Sequence, residues 1–353
     1  MFMKNFIAHN SPLVSIIVPC RNEERFVDRC LDSIIAQDYP KDKLEVLVVD
    51  GMSEDGTREI VEEYAKRHPF IRLLDNPEKI TPCAFNLGIK RAKGSFIAIV
   101  GAHNYISNNY LSTAVDYLQS NEVDGVGSFG VCIPIDNKFI SKPISIVMQS
   151  KFGVGSSFRT NCPKEVVSAD TVASPVYKRE VFKKIGLFDE DLVRGQDAEI
   201  NARLRKNGGI IILVPEVVSY YYARDSLGKL WKQHFQYGYF KPLLVKKVGK
   251  IFTLRQLIPP LFVGSLIASL VSSAFFKPLF GLFLFVSGSY IIANLGFSFK
   301  LSFEKGLEYL FALPSVFATL HFSYGIGYLK GIWDFVIFKK DKKGKIKDMP
   351  LTR

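Results

Sequence analysis

The chain has 353 residues, a formal net charge of +12 and 48% hydrophobic residues, enough for one large domain or two ordinary ones but too apolar after about Thr253 for a wholly soluble protein. The basic clusters KPLLVKKVGK and KKDKKGKIK flank that apolar part, so the charge reads as attraction to anionic lipid head groups. It argues against a nucleic-acid partner, for which no motif is present. The five cysteines (Cys20, Cys30, Cys83, Cys132 and Cys162) are odd in number and lack metal-ligand spacing, which excludes a disulfide framework and reads as reduced thiols in a cytoplasmic domain.

In chain order, MFMKNFIAHNSP has no apolar core of signal-peptide length. Val14–Val18 is a short β-branched run of the kind a strand buried on both faces needs, and Pro19 ends it. Arg21, Asn22 and Glu23 follow at its carboxyl end. Phe26, Cys30, Leu31 and Ile34 then recur at helical spacing, and Leu44–Val49 is a second apolar run closing on Asp50 and the turn-rich GMSEDGT. Strand, helix, strand predicts a right-handed parallel unit, with ligands binding outside the carboxyl ends of its strands. Further on, 59–68 reads as a helix, 71–74 as a strand, 83–92 as a helix, 96–100 as a strand stopping at GAHNYIS, 111–119 as a helix and 125–133 as a strand. This alternation predicts an α/β fold with a mainly parallel sheet. From 134 to 171 the pattern weakens, apart from a candidate helix at 141–152. Regular structure resumes at 176–185, a short amphipathic helix lies in RGQDAEINARLRKNGG, and 210–214 and 217–222 read as two extended pieces. Leu227–Val248 mixes aromatics with lysines, as a helix lying at a membrane surface does. Three apolar segments follow, 257–276, 279–299 and 307–329, each about long enough to span a bilayer core. Three full crossings would place the two basic clusters on opposite sides, against the positive-inside tendency.

Three groups of residues could carry chemistry. Asp50 closes a buried strand opposite Asn22 and Glu23, a position from which a carboxylate can hydrogen-bond a base or ribose, whereas Asp55 serves equally well as a turn residue. Gly101, Ala102 and His103 stand at the end of a third strand, on the same rim. A neutral imidazole there can ligate a divalent ion, although a lone His is more often structural. Asp197 and Glu199 lie at the start of a helix, where acids complement the dipole or, alternatively, one acts as general base toward an acceptor hydroxyl.

Together these residues resemble a family-2 glycosyltransferase of GT-A fold. VSIIVPCRNE resembles that family's opening strand and Asn-Glu step, VVDGMSEDGT is similar to its VVDDGSxDGT, NLGIKRAKGSFIAIV to the helix and strand before its Asp-x-Asp motif, and FDEDLVRGQDAEINARLRKNGG to its acceptor-side segment. The closest branch is that of the succinoglycan-type glucosyltransferases, which often carry Asp-Ala-His in place of Asp-x-Asp. The resemblance implies a Rossmann-like GT-A domain over residues 1–225, a basic aromatic interfacial segment over 226–252, two to three membrane helices over 253–335 and a basic tail over 336–353. It implies that Pro19, Arg21, Asn22, Glu23, Asp50, Asp55, Gly101 and Ala102 line the donor pocket. His103 would stand at a site for Mn2+ or Mg2+, and Asp197 would be the catalytic base of a single inverting displacement. The implied partners are a nucleotide-sugar donor, probably UDP-linked, a lipid-linked or growing glycan acceptor and membrane lipids, at the cytoplasmic face of the cell membrane. Two departures stand out: Gly101 replaces the first acid of Asp-x-Asp, and YGYFK does not match the Gln-x-x-Arg-Trp of processive relatives. The first leaves a rival reading, a non-catalytic membrane scaffold of the same fold with a degraded metal site.

Overall fold

The computed structural model describes residues 11–136, 138–155, 162–249 and 254–343. The chain divides into two compact units, Met1–Val131 with Ser157–Tyr221, and Cys132–Ser156 with Tyr222–Arg353.

The first unit is built on a mixed sheet. β1 (Val14–Cys20) lies between β2 (Leu44–Asp50) and β4 (Phe96–Ile99), and β3 (Ile71–Asp75) lies outside β2, all four parallel. Alternate residues of β1 enter different cores: Ile16 and Val18 join one cluster, and Ile17 joins a second with Leu47 and Val49. Both faces are therefore covered, and the sequence of β1 and β2 is apolar without alternation for that reason. Their crossover helices are α1 (Val27–Ile35), α2 (Thr57–Arg67) and α3 (Thr81–Arg91). Beyond β4 the direction changes. β5 (Asn104–Ile106), α4 (Tyr110–Ser120), β6 (Gly125–Ile133), β7 (Val167–Ser168) and β8 (Ala173–Lys178) follow; α5 (Ser141–Met148), between β6 and β7 in sequence, belongs to the second unit. β8 inserts antiparallel between β4 and β6. Because it runs against β4, with Val176 opposite Ala98, its first residues return to the edge where β4 ends. Two short helices, α6 (Glu180–Ile185) and α7 (Gln196–Lys206), precede the long strand β9 (Ile211–Tyr222). The two extended pieces expected at 210–214 and 217–222 are this one strand. β7 pairs with Ile212 and Leu213, and β5 with Ser219–Tyr221. Pro215 falls in the gap between these two partners, where its missing N–H costs no ladder bond.

The second unit is helical. α8 (Leu227–Val248) is capped by Ser226, whose Oγ accepts from the Lys229 N–H at 3.4 Å. α9 (Ile258–Ser272), α10 (Pro278–Lys305) and α11 (Leu313–Gly331) follow, and a π-helical turn, Ile332–Ile337, extends α11. Among the described residues two helices are long and apolar enough to cross a bilayer, Leu254–Ser272 and Pro278–Lys305, and they are barely covered by protein. The third apolar segment differs: in α11, Leu313, Val316, Phe317 and Leu320 are buried. α8 meets α11 where glycines leave no side chain in the way; a Cβ at Gly327 would lie 2.2 Å from the Phe235 carbonyl oxygen. At the end of this seam Asp334, 1% exposed, takes the Tyr239 hydroxyl at 2.8 Å, Lys330 at 3.0 Å and Lys340 at 2.8 Å. Burial pushes its carboxyl up, but the two lysines and the hydroxyl outweigh this and bring it down to about 2.

Candidate active site

β1, β2 and β4 are parallel neighbours, so their carboxyl ends deliver Asn22–Glu23, Asp50–Ser53 and Gly101–Asn104 to one rim. The first two loops are clasped together. Asn22 takes the left-handed conformation (φ 55°), which short polar side chains tolerate. From there its N–H donates to Ser53 Oγ at 2.9 Å, and its Oδ1 accepts from the Glu54 N–H at 2.9 Å. Ser53 in turn donates both its hydroxyl and, at 3.0 Å, its N–H to the Asp50 carboxylate. Asp50 is fully buried and is further held by Arg58 Nη1 at 2.7 Å; the same nitrogen reaches Asp75 at 2.8 Å. Burial opposes the Arg58 charge less than its two acid partners favour it, which raises its pKa further. Asp50 thus arrives at the rim already ordered.

Asp55 is spent on the loops themselves. It accepts from the Thr57 N–H at 3.1 Å, from the Thr57 hydroxyl at 2.5 Å and from the Glu24 N–H at 3.3 Å, while Thr57 Oγ1 accepts the Glu23 N–H at 2.7 Å. Partial burial works against its charge, but these hydrogen bonds win and hold the carboxyl below its ordinary range.

Glu23 is 5% exposed, and its Oε1 lies 3.4 Å from His103 Nδ1. Pro19 remains within β1, opposite Val49, and the Arg21 side chain lies over Gly51. Ala102 is buried in the core, so only its backbone can face a ligand. The Gly101 carbonyl accepts from the Asn104 N–H at 2.8 Å and the Cys30 thiol at 3.6 Å. The nearest atom to a Cβ built on Gly101 is Asn104 Nδ2 at 3.4 Å. A Cβ at this position would therefore make ordinary contacts and no clash. Asn104 also reaches Ser174 Oγ at 3.4 Å, joining the start of β8 to the rim.

The two acids of α7 have different surroundings. Glu199 is locked to Arg203 by two hydrogen bonds, 2.9 and 2.7 Å, and Arg203 also caps the Ile185 carbonyl at 2.6 Å. Asp197 is exposed, and no hydrogen bond or ion pair to it occurs among the described residues. It lies one turn before Asn201 on the same helix face. Asn201 accepts from the Tyr177 hydroxyl at 2.5 Å and donates to Thr171 at 3.4 Å, just ahead of the rim end of β8. Burial, reinforced by the Asp197 charge, pushes the Tyr177 phenol up.

Sequence reading found the acids but not Ser53, Thr57 and Arg58, which order them; no pattern marks residues whose partners lie across a loop. Glu199 could have been set apart, because Glu199–Arg203 has the i,i+4 spacing of a helical ion pair. Among the described residues no three His, Cys, Asp or Glu side chains converge as a metal cage. His103 has one nitrogen toward Glu23, and that arrangement orients a ligating imidazole by its other nitrogen. A divalent ion at this rim would have His103 as its one candidate protein ligand among these residues, with the remaining ligands coming from a phosphate-bearing substrate.

Comparisons with known proteins agree with this arrangement. Residues 15–186 match the model for glycosyl transferase family 2. The chain is 32% identical over 327 residues to a dolichyl N-acetyl-alpha-D-glucosaminyl phosphate 3-beta-D-2,3-diacetamido-2,3-dideoxy-beta-D-glucuronosyltransferase of Methanococcus voltae, covering 90% of this chain and 97% of that one. It is 28% identical to the succinoglycan biosynthesis protein ExoA of Rhizobium meliloti over 72% of this chain and 77% of that one. In fold it resembles the mannosyltransferase PcManGT of Pyrobaculum calidifontis, solved with GDP-Man and Mn2+, with a TM-score of 0.57, 22% identity, and coverage of 92% and 88%. The mixed sheet with its polar rim is thus a GT-A domain, and the chain belongs to glycosyltransferase family 2.

Proposed function

We propose that this glycosyltransferase moves a sugar from a nucleotide-sugar donor, UDP-linked in our reading, to a lipid-phosphate-linked or growing glycan at the cytoplasmic face of a membrane, with inversion at the anomeric carbon. The reading keeps residues 1–225 as the catalytic domain, 226–252 as interfacial, 253–335 as membrane helices and 336–353 as a basic tail. The observation that carries it is the contrast within α7: Glu199 is neutralised by Arg203, while Asp197 is exposed and has no hydrogen bond or ion pair among the described residues, which leaves its carboxylate open to accept a proton. Asp197 takes the proton of the acceptor hydroxyl, the oxygen attacks the anomeric carbon, and the bond to the diphosphate breaks in the same displacement. Asp50, pre-ordered by Ser53 and Arg58, and Glu23 receive the nucleoside with Pro19, Arg21 and Asn22 around it. Asp55 supports the loop, and Gly101 and Ala102 let the donor approach the backbone. A divalent ion, Mn2+ or Mg2+, held by His103 and the donor phosphates, would supply charge neutralisation at the leaving diphosphate.

The test is nucleotide release from a panel of UDP- and GDP-sugars by the full chain in lipid or detergent, with a lipid-phosphate-linked sugar as acceptor, with and without divalent ion, compared with Asp197→Ala. Turnover in the wild type that Asp197→Ala abolishes while donor binding persists supports the reading. Donor binding without turnover under any condition would favour the scaffold reading that Gly101 suggests. Turnover unchanged after exhaustive chelation would remove the metal role of His103.

A further inference from the structure

The second unit carries a topological arrangement that the hydropathy of the three apolar segments does not reveal. Leu254–Ser272 and Pro278–Lys305 contain 19 and 28 residues, about 28 and 42 Å of helix, and 17% and 6% of their apolar windows are buried. They join at Phe275–Lys277, where Phe275 is 90% exposed. A third span packed beside this hairpin would touch it over a comparable length. α11 does not. Near its start, the Pro314 carbonyl accepts from Asn294 at 3.1 Å. In its middle, His321 meets the Tyr290 hydroxyl at 3.1 Å, and Phe322 lies against Phe262 and Tyr290. Near its end, Gly325 sits on Pro259 and Val263, and Leu329 on Gly264. From Pro314 to Leu329 the helix advances about 22 Å, but the hairpin residues it meets, 259–264 and 290–294, span about 8 Å or less of either limb. α11 therefore crosses the hairpin steeply at one depth.

α8 keeps the same heading: Phe235 faces Gly327 and Tyr239 faces Gly331, so the two helices run side by side in the same direction. Their far ends are tied. Lys246 donates to the Phe335 carbonyl at 3.2 Å and pairs with Asp341 at 2.7 Å. The stretch that precedes the first span and the stretch that begins the basic tail are therefore in contact.

We propose that the chain crosses the bilayer twice only, by the α9–α10 hairpin with lipid acyl chains covering its outer faces, and that α8 and α11 form a platform that does not cross but lies over the start of α9 and the middle of α10, on the Lys300 side of the membrane. This deepens the membrane attachment in the proposed function. The expected conflict with the positive-inside tendency disappears, because Lys246, Lys247, Lys305, Lys339 and Lys340 share one side and Lys277 alone marks the other. The uncharged runs between Arg255 and Lys277 and between Lys277 and Lys300, 21 and 22 residues, are each long enough for a core about 30 Å thick, with the charges at its edges.

The test uses the unmutated full chain in sealed vesicles of both orientations, treated with a membrane-impermeant amine reagent and read by peptide mass spectrometry. Lys277, Lys305 and Lys339 are all exposed. The expected result is that Lys305 and Lys339 are modified together in one orientation, at least tenfold above Lys277, and Lys277 alone in the other. Lys305 and Lys339 reacting from opposite sides would mean that α11 crosses, which overturns the proposal. Lys277 reacting from the same side as both would mean that the hairpin dips and returns, which also overturns it. Lys277 shielded from both sides would replace lipid by a second copy covering the hairpin. A Lys277→Cys variant probed with an impermeant maleimide repeats the key position with a second chemistry. Labelling needs no turnover, so this result and the glycosyl-transfer assay fail independently.

Discussion

Asp197 and Glu199 are two residues apart, alike in charge and both in the first turn of α7, yet they make opposite predictions. Asp197→Asn is expected to lower steady-state nucleotide release by a factor of about 10² to 10⁴, the usual range for loss of a general base, with donor affinity unchanged by calorimetry. Glu199→Gln should leave turnover within a few-fold, because it removes the tether to Arg203, which also holds the Ile185 carbonyl. Its effect belongs in thermal unfolding, at about 1 kcal/mol or less for an ion pair of this kind. Equal losses of turnover in both variants would count against the division of roles. Gly101→Asp is a third residue-scale test. Its Cβ would meet only ordinary van der Waals neighbours, the nearest at 3.4 Å, so the variant should fold with an unchanged melting temperature and bind Mn2+ more tightly in the presence of nucleotide. What sequence made legible here were residues whose chemistry follows from strand-end position: Asn22, Glu23, Asp50 and His103. Ser53 and Arg58 stayed hidden because their function is defined by Asp50, reached through the fold of a loop that carries no periodic signal.

At the scale of elements, legibility followed length and burial. β1, β2 and β4 announced themselves because both faces of each are covered, and α8 stood out by its mixture of aromatics with lysines; in the structure Ser226 caps its start and Gly249 its end. β5 and β7, three and two residues long, have no room for a pattern. Residues 307–329 leave two or three crossings open in the sequence because apolar composition cannot distinguish lipid from protein as the covering medium. The α8–α11 seam makes that distinction testable. Gly327→Ala places a methyl 2.2 Å from the Phe235 carbonyl oxygen, and Gly288, on the open face of α10, has nothing within 4 Å. The first substitution should destabilise the protein by about 1–3 kcal/mol as overpacking does, and the second should be neutral or stabilise by up to about 1 kcal/mol through helix propensity. Melting in a fixed detergent compares them directly. Asp334, at the end of the same seam, adds a pH dependence. Its folded pKa of about 2 lies below the ordinary carboxylate value near 3.9, so its stabilisation is fully present above about pH 4 and is lost as pH falls toward 2. The melting-temperature gap between the wild type and Asp334→Asn should stay constant from pH 7 to 5 and close below pH 4. A gap that widens on acidification would reverse the sign and refute the assignment.

At the scale of the whole molecule, two different forces would hold the chain to a membrane in the proposed reading, and they can be separated. The first is electrostatic. A net charge of +12, with lysines clustered before Leu254 and after Phe338, is drawn to anionic head groups. This attraction is screened by salt; at 1 M ionic strength the Debye length is about 3 Å. The second is hydrophobic, and it resides in the outer faces of α9 and α10, where Leu261, Ile267, Phe285 and Ile292 are each more than half exposed. Salt does not weaken this term, and a span of about 20 apolar residues inserts effectively irreversibly, unlike an interfacial helix. The full chain should therefore remain in the membrane fraction after washing with 1 M salt or alkaline carbonate and leave it only with detergent. A variant with Lys339, Lys340, Lys342 and Lys343 changed to Gln should behave identically in that extraction, while its initial association with anionic vesicles becomes slower and less salt-dependent. Release of the wild type by salt alone would make the hairpin a protein-covered element, with lysines as the anchor. Retention of both forms in carbonate fixes the hairpin as the anchor and leaves the lysines to orient it.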